Sequence, residues 1–357
     1  MFCNNTIQLR MRIESELKLD FNDVLLRPKR STLESRKEVG LKRSYNFLHG
    51  GKYKGIPIMA ANMDGVGTRL VATEFKELDL FTCLKKSLTL DFFKEGCFDA
   101  EIEDNAAITI GVTSNDFAML YKLKDNIKYV CVDVANGYTK RLVSIVRDIR
   151  SIPTKNKLVI IAGNVVTSEM VEELLLAGAD IIKVGIGSGA VCTTRIKTGV
   201  GYPQFSAIAE CADAAHGLGG HIISDGGCTT PGDVAKAFAA GSDFVMLGSM
   251  LAGHAEGGGK IIKEDKNKFI EFYGMSSKTA NDKHFGGLSD YRSSEGRTVR
   301  IPYRGNIKDT VQDILGGVRS ACTYVGAREL KHLSKCATFV RVNNTHNTLL
   351  EKYTVGY

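Results

Sequence analysis

No stretch of this chain approaches the roughly 18 consecutive apolar residues a bilayer span needs. The N-terminus, M-F-C-N-N-T-I-Q-L-R-M-R, lacks the long apolar core of a secretory signal, and the C-terminal T-V-G-Y is no readable targeting tag. The nine cysteines contain no C-x-x-C pair and follow no repeated spacing, so a disulfide framework is not expected. The thiols read as reduced and the protein as cytoplasmic. Charge of one sign is scarce: 47 Lys and Arg stand against 40 Asp and Glu, a net +7 with no block of like charges. That mild excess suits a small anionic substrate and gives little support for a nucleic-acid or membrane partner. G-x-x-x-x-G-K-[ST], a Rossmann fingerprint and H-E-x-x-H are all missing. His216 and His221 stand five apart but span a helix end and the next strand, a poor spacing for a structural zinc.

What is present is a rhythm of short apolar runs, each ending in glycine or a polar residue. They fall at 56–62, 80–85, 107–112, 129–135, 158–164, 180–185, 221–227 and 243–248. Near-continuous β-branched runs are expected of strands buried on both faces. Helix-like segments lie between them. Residues 167–178 have a cap at Thr167 or Ser168 and stop at Gly178; residues 230–241 open on Pro231 and stop at Gly241. Phe205–His216, Thr139–Ile149 and about 309–325 also read as helices. Eight such alternations within 357 residues, 43% of them hydrophobic, predict a single (β/α)8 TIM barrel, with a doubly wound open sheet as the alternative. Residues 1–55 precede the first barrel strand, and 254–308 form a long polar, glycine-rich insertion after the eighth, which reads as a flap. No linker divides the chain, so residues 1–357 are taken as one catalytic domain.

Barrel active sites lie at the C-terminal ends of the strands. Those ends carry Asn62 and Asp64, Lys85 and Lys86, Asp133, Asn136 and Gly137, Gly163 and Asn164, then Asp225–Gly227 and Gly248–Ser249. The sixth run leads into K-V-G-I-G-S-G-A-V-C-T-T-R-I-K-T-G-V-G-Y-P-Q (183–204). Cys192 follows Gly187 and Gly189, where backbone N–H groups and Arg195 would favour a nucleophilic thiolate. A buried inert thiol is the other reading of the residues alone. D-G-G (225–227) and L-G-S (247–249), at strands seven and eight, are placed to bind phosphate through backbone N–H groups, and Asp225 suits a ribose diol.

With these residues in place, the chain resembles the family that contains GMP reductase and IMP dehydrogenase. The resemblance runs from about Lys18 to Val342. It rests on D-F-N-D-V-L-L-R-P-K-R-S-T-L (20–33), A-A-N-M-D (60–64), D-V-A-N-G-Y (133–138), A-G-N-V-V-T (162–167), V-C-T-T-R-I-K-T-G-V-G-Y-P-Q (191–204), I-S-D-G-G-C (223–228), Y-G-M-S-S (273–277) and D-I-L-G-G-V-R-S (313–320). It implies reductive deamination of GMP by NADPH to IMP and ammonia. Cys192 would attack purine C2, with Thr194 and Glu295 handling the proton of the departing amine, and Lys86 and Asp133 near the reacting centre. Implied substrate contacts are Asp225, Gly226, Gly227, Gly248, Ser249, Gly274, Met275, Ser276, Arg292, Ser293, Ser294 and Gly296. Implied cofactor contacts are Ser35, Arg36, Ser87, Asp133, Val134, Ala135, Ile186, Gly187, Tyr291, Ser320, Ala321, Cys322 and Thr323, some reaching a neighbour's cofactor in a homotetramer. A potassium ion would sit by Gly187, Gly189, Cys192 and Arg195.

The key loop departs from the family pattern G-P-G-S-V-C: Ser188 replaces a proline, and Ala190 a serine whose hydroxyl helps hold phosphate. Most dehydrogenase members carry regulatory modules between the second and third strands, for which 87–106 leaves no room. They also use an Arg-Tyr flap pair, absent here, where Tyr291 precedes Arg292. The alternatives are an IMP dehydrogenase without that module and a non-catalytic purine-nucleotide-binding protein.

Overall fold

The computed structural model describes residues 12–96, 98–287, 289–291 and 293–342. Eight parallel strands close into a barrel: β1 (Ile58–Ala60), β2 (Phe81–Cys83), β3 (Ala106–Ile110), β4 (Tyr129–Asp133), β5 (Val159–Val165), β6 (Ile181–Val184), β7 (His221–Asp225) and β8 (Phe244–Leu247). Closure is the pairing of β8 with β1, in the register Val245↔Ile58 to Leu247↔Ala60. All eight apolar runs become barrel strands; all but β5 are shorter than their runs, because glycine and polar ends turn into the loops. Every residue of β1, β2, β3, β6 and β8 is buried, as expected when side chains alternate between barrel interior and helix layer.

The outer layer is α1 (Arg69–Glu77), α2 (Lys86–Glu95), α3 (Ser114–Leu123), α4 (Lys140–Ser151), α5 (Ser168–Leu176), α6 (Gln204–Gly217), α7 (Pro231–Ala239) and α8 (Ile307–Val325). Side chains of Thr68, Thr113, Thr139, Thr230 and Asn306 accept a backbone N–H at the helix starts. Each such cap is worth about 1 kcal/mol. At α5 the cap position is Thr167, but its hydroxyl makes no capping bond. The connection from β2 to β3 holds α2 and a short turn.

The extra segments close the two ends of the barrel. A hairpin, Arg43–Asn46 with Lys52–Gly55, lies under the strand starts. Tyr45 stacks on Phe244 at 4.5 Å, and Tyr53 meets Phe81 edge-on at 5.6 Å. Phe81 and Phe244 each open a strand, so these rings plug the N-terminal end. The insertion after β8 is a three-stranded antiparallel sheet, Ile261–Glu264, Asn267–Tyr273 and Thr298–Pro302, with one helix, Lys278–Phe285. No described helix is long and apolar enough to cross a membrane.

Candidate active site

The loop after β6 must pass close to β7, and Gly185 lets it. Its φ is +152°, and a Cβ there would lie 2.0 Å from the Asp225 carbonyl oxygen. The same crowding acts at Gly226 (φ +96°), where a Cβ would fall 2.5 Å from Ser188 Oγ. Beyond Gly185 the chain turns at Gly189, whose carbonyl accepts the Cys192 N–H at 3.0 Å. A short helix, Thr194–Thr198, follows.

Cys192 Sγ donates to Thr194 Oγ1 at 3.2 Å, and Thr194 Oγ1 donates to Glu295 Oε2 at 2.8 Å. A thiol proton thus has a two-link path to a carboxylate that comes from a distant segment. Backbone bonds deliver that carboxylate. Glu295 N–H reaches the Ser276 carbonyl at 3.2 Å, and its own carbonyl accepts Thr193 N–H at 2.8 Å. Cys192 pairs with Gly296 in an antiparallel bridge, and Arg297 N–H bonds Val191 O at 3.0 Å. The insertion therefore lies across the cysteine loop.

The floor is built on Lys183 of β6. Its side chain is only 2% exposed; Nζ pairs with Asp133 and with Asp225 at 3.2 Å, and donates to Asn62 Oδ1 at 3.3 Å. Burial works against the ammonium, but the two carboxylates, Asp133 foremost, outweigh it and hold its pKa above the ordinary 10.5. Asn164 Nδ2 fixes Asp225 Oδ2 at 2.8 Å and also bonds the Gly185 carbonyl. Our reading of the sequence gave Lys183 no role. The available signal was chemical: a lysine inside a fully apolar strand has to be paired.

Two cavities meet at this mouth. The first, about 280 Å³, is lined by Cys192, Thr194, Glu295, Asp225–Gly227, Gly248, Ser249, Gly274, Met275 and Ser276, with Asp133–Ala135, Ile186, Gly187 and Gly189. The second, about 760 Å³, is lined by Lys86, Ser87, Tyr291, Ser293, Asp64, Asn281 and His284. Asn62, Asp133, Ala135, Met275, Ser276 and Glu295 line both, so the cavities share a wall. Lys86 Nζ pairs with the buried Asp116 at 2.7 Å. Ser294 braces the flap, accepting Lys278 N–H at 3.2 Å and donating to the Gly296 carbonyl at 2.9 Å.

Other expected residues fall elsewhere. Arg195 was expected beside the thiol; its guanidinium is engaged by Asp20 Oδ2 at 3.0 Å and by the Tyr202 carbonyl. It ties the loop to the N-terminal D-F-N-D segment, whose Asp20 Oδ1 also accepts Gln204 N–H at 2.6 Å. Ser35 caps the turn Arg36–Glu38, which packs on α8, the helix carrying Ser320, Ala321, Cys322 and Thr323. None of these six lines either cavity, and Cys322 is fully buried. Arg292 lies outside the described residues.

Fold and site define a (β/α)8-barrel protein with a cysteine–threonine–glutamate chain at the C-terminal mouth. Comparison with known proteins narrows this. The model of the IMP dehydrogenase / GMP reductase domain matches residues 18–352. A protein named GMP reductase from Vibrio cholerae is 56% identical over 348 residues, covering 95% of this chain and 99% of its own. Another of that name, from Aliivibrio fischeri, is 55% identical over 351 residues, covering 96% and 100%. The chain belongs to the IMP dehydrogenase / GMP reductase family.

Proposed function

We propose that this protein is a GMP reductase, converting GMP, NADPH and protons to IMP, NADP⁺ and ammonium in cytoplasmic purine salvage. The observation that carries this reading is the Cys192–Thr194–Glu295 chain, with 3.2 and 2.8 Å links, inside a cavity rimmed by the glycines of strands seven and eight. Backbone N–H groups at Gly226, Gly227, Gly248 and Ser249 hold the phosphate, with Gly274, Met275, Ser276 and residues 293–296 of the insertion over the nucleotide, and Asp225 takes the ribose hydroxyls. The Cys192 sulfur bonds to purine C2, and the proton passing through Thr194 and Glu295 lets the amine leave as ammonia, because an amide anion cannot leave. A thioimidate on Cys192 remains. NADPH, when bound, would supply the hydride for C2, and Cys192 would then leave as the thiolate as IMP is released.

The larger cavity would take the dinucleotide, with Lys86, Ser87, Asp133, Ala135 and Tyr291 on its wall, and Val134, Ile186 and Gly187 reaching it from the adjoining first cavity. Ser35, Arg36, Ser320, Ala321 and Thr323 would serve a neighbour's cofactor in a homotetramer, whereas the buried Cys322 side chain would pack beneath them. A potassium ion fits backbone carbonyls of the Gly187–Cys192 loop, because a hard cation takes oxygen ligands. Arg195 would offer only its carbonyl. Such an ion would brace the loop that carries the nucleophile. All seven described cysteines are free thiols, in keeping with a cytoplasmic site for one catalytic domain without a regulatory module.

Loss of NADPH absorbance on adding GMP, abolished in Cys192→Ala, is the expected result. NADH formation from IMP and NAD⁺ instead would make the chain a dehydrogenase, and binding without turnover a nucleotide-binding protein.

A further inference from the structure

The base of the barrel contains one corner built twice. Asp180, just before β6, accepts the Ile160 N–H of β5 on Oδ2 at 2.9 Å, and Arg150, at the end of the helix leading into β5, reaches the same oxygen at 2.6 Å. Asp243, just before β8, accepts the Ile222 N–H of β7 on Oδ2 at 3.1 Å. The helix leading into β7 ends in His216, and His216 Nε2 sits 2.8 Å from that oxygen, in Arg150's place. In each corner an imidazole also meets Oδ1, His49 Nδ1 at 3.0 Å from that of Asp180, so the second corner differs in having a histidine in the arginine's place and hence two imidazoles. The turn H-G-L-G-G-H (216–221), with Gly219 at φ +74°, brings the chain back so that His221 Nδ1 lies 3.4 Å from Asp243 Oδ1.

The outcome is a cluster suited to coordination. One ligand atom each from His216, His221 and Asp243 lie within 4.8 Å of one another. His221 Nδ1 is buried and makes no hydrogen bond, a cost that an inward-pointing imidazole avoids when it has a ligand. The His216 side chain is 45% exposed and opens the cluster to solvent. The other charged groups facing it are Arg43 from the basal hairpin and Asp213 on α6. Arg43 stacks on the Tyr45 ring at 4.6 Å and donates a long hydrogen bond of 3.5 Å to Asp243 Oδ1, a contact a bound ion would have to share or displace.

We propose that His216, His221 and Asp243 form a site for one divalent transition-metal ion of the Zn²⁺ type. Two imidazole nitrogens and a carboxylate oxygen would bind it, with water completing the shell. Borderline ions of this series favour such mixed N/O sets, whereas Mg²⁺ and Ca²⁺ prefer all-oxygen ones. The site lies at the strand starts, opposite Cys192, and is independent of the chemistry proposed at the mouth.

Cobalt(II) is the probe, added to the full chain at mildly alkaline pH. Visible d–d bands should saturate at one ion per chain, without the near-ultraviolet charge-transfer band of a thiolate–cobalt bond. His216→Ala should weaken binding at least tenfold. His216→Arg should abolish it and keep the fold, because it rebuilds the Arg150–Asp180 arrangement. Equal titration of all three proteins, no binding to the wild type, or a thiolate band alone would overturn the site.

Discussion

At the scale of single residues, the mouth depends on where protons and charges are held. Glu295→Gln keeps the shape and removes the carboxylate that accepts from Thr194. Removing one general acid–base group costs about 10²–10⁴ in rate, so kcat should fall by that range while KM for GMP changes little. An equal loss spread over kcat and KM would place Glu295 in binding instead. Ala190 lines the first cavity without a hydroxyl, and the Ser188 hydroxyl is already bonded to the Asp225 carbonyl at 3.2 Å. A hydrogen bond to a charged group is worth about 1.5–3 kcal/mol. Ala190→Ser should therefore lower KM for GMP by roughly tenfold to a hundredfold. An unchanged KM would mean that the phosphate is held without this position. The cysteine loop was legible as a candidate site because glycines, threonines and a cysteine share one segment. Lys183 was not, since only folding sets Asp133 and Asp225 against it. Arg195 was legible as a cation, but its partner Asp20 lies 175 residues away.

At the scale of elements, the insertion is held to the barrel by a carboxylate as well as by its backbone bonds to the cysteine loop. Asp64, in the loop after β1, accepts from Tyr273 Oη at 2.7 Å and lies 2.6 Å from His284 Nε2, with Lys283 Nζ at 3.5 Å. Burial alone would raise the Asp64 carboxyl, but Tyr273 and His284 outweigh it and hold it below the ordinary 3.8. A carboxylate with a lowered folded pKa stabilises its surroundings above the unfolded value. It gives up that support as pH falls below 3.8 and through the folded value. Amide exchange in the helix Lys278–Phe285 should therefore accelerate in acid before the barrel strands do, and Asp64→Asn should loosen the same helix at neutral pH. Simultaneous exchange of flap and strands would show that Asp64 is no independent latch. The insertion was readable from its length and polarity. Its pairing with the cysteine loop was not, because the bridge between Cys192 and Gly296 joins segments about a hundred residues apart.

At the scale of the whole molecule, the barrel hides most of its sulfur. Cys83, Cys131, Cys211, Cys228 and Cys322 are buried, and Cys192 and Cys336 are partly exposed. Burial pushes the Cys211 and Cys322 thiols up to about 12, which removes their thiolates at neutral pH. Brief iodoacetamide treatment followed by peptide mapping should leave Cys211 and Cys322 unmodified and label Cys192, with GMP protecting it. Labelling of Cys192 unaffected by GMP would separate this thiol from the nucleotide site. The sequence by itself determined the order of the eight strands, five of the helices and the polar groups at seven of the strand ends. These follow from local burial periodicity and turn chemistry, which neighbouring residues set. An open sheet has the same local pattern, so only the pairing of Val245 with Ile58 decided that the sheet closes. Tertiary structure alone also joined the thiol to Glu295, buried Lys183 between two carboxylates, and brought His216 and His221 onto Asp243. Each of these depends on distance in space between groups far apart in the chain, and spacing along the sequence carries no measure of that distance.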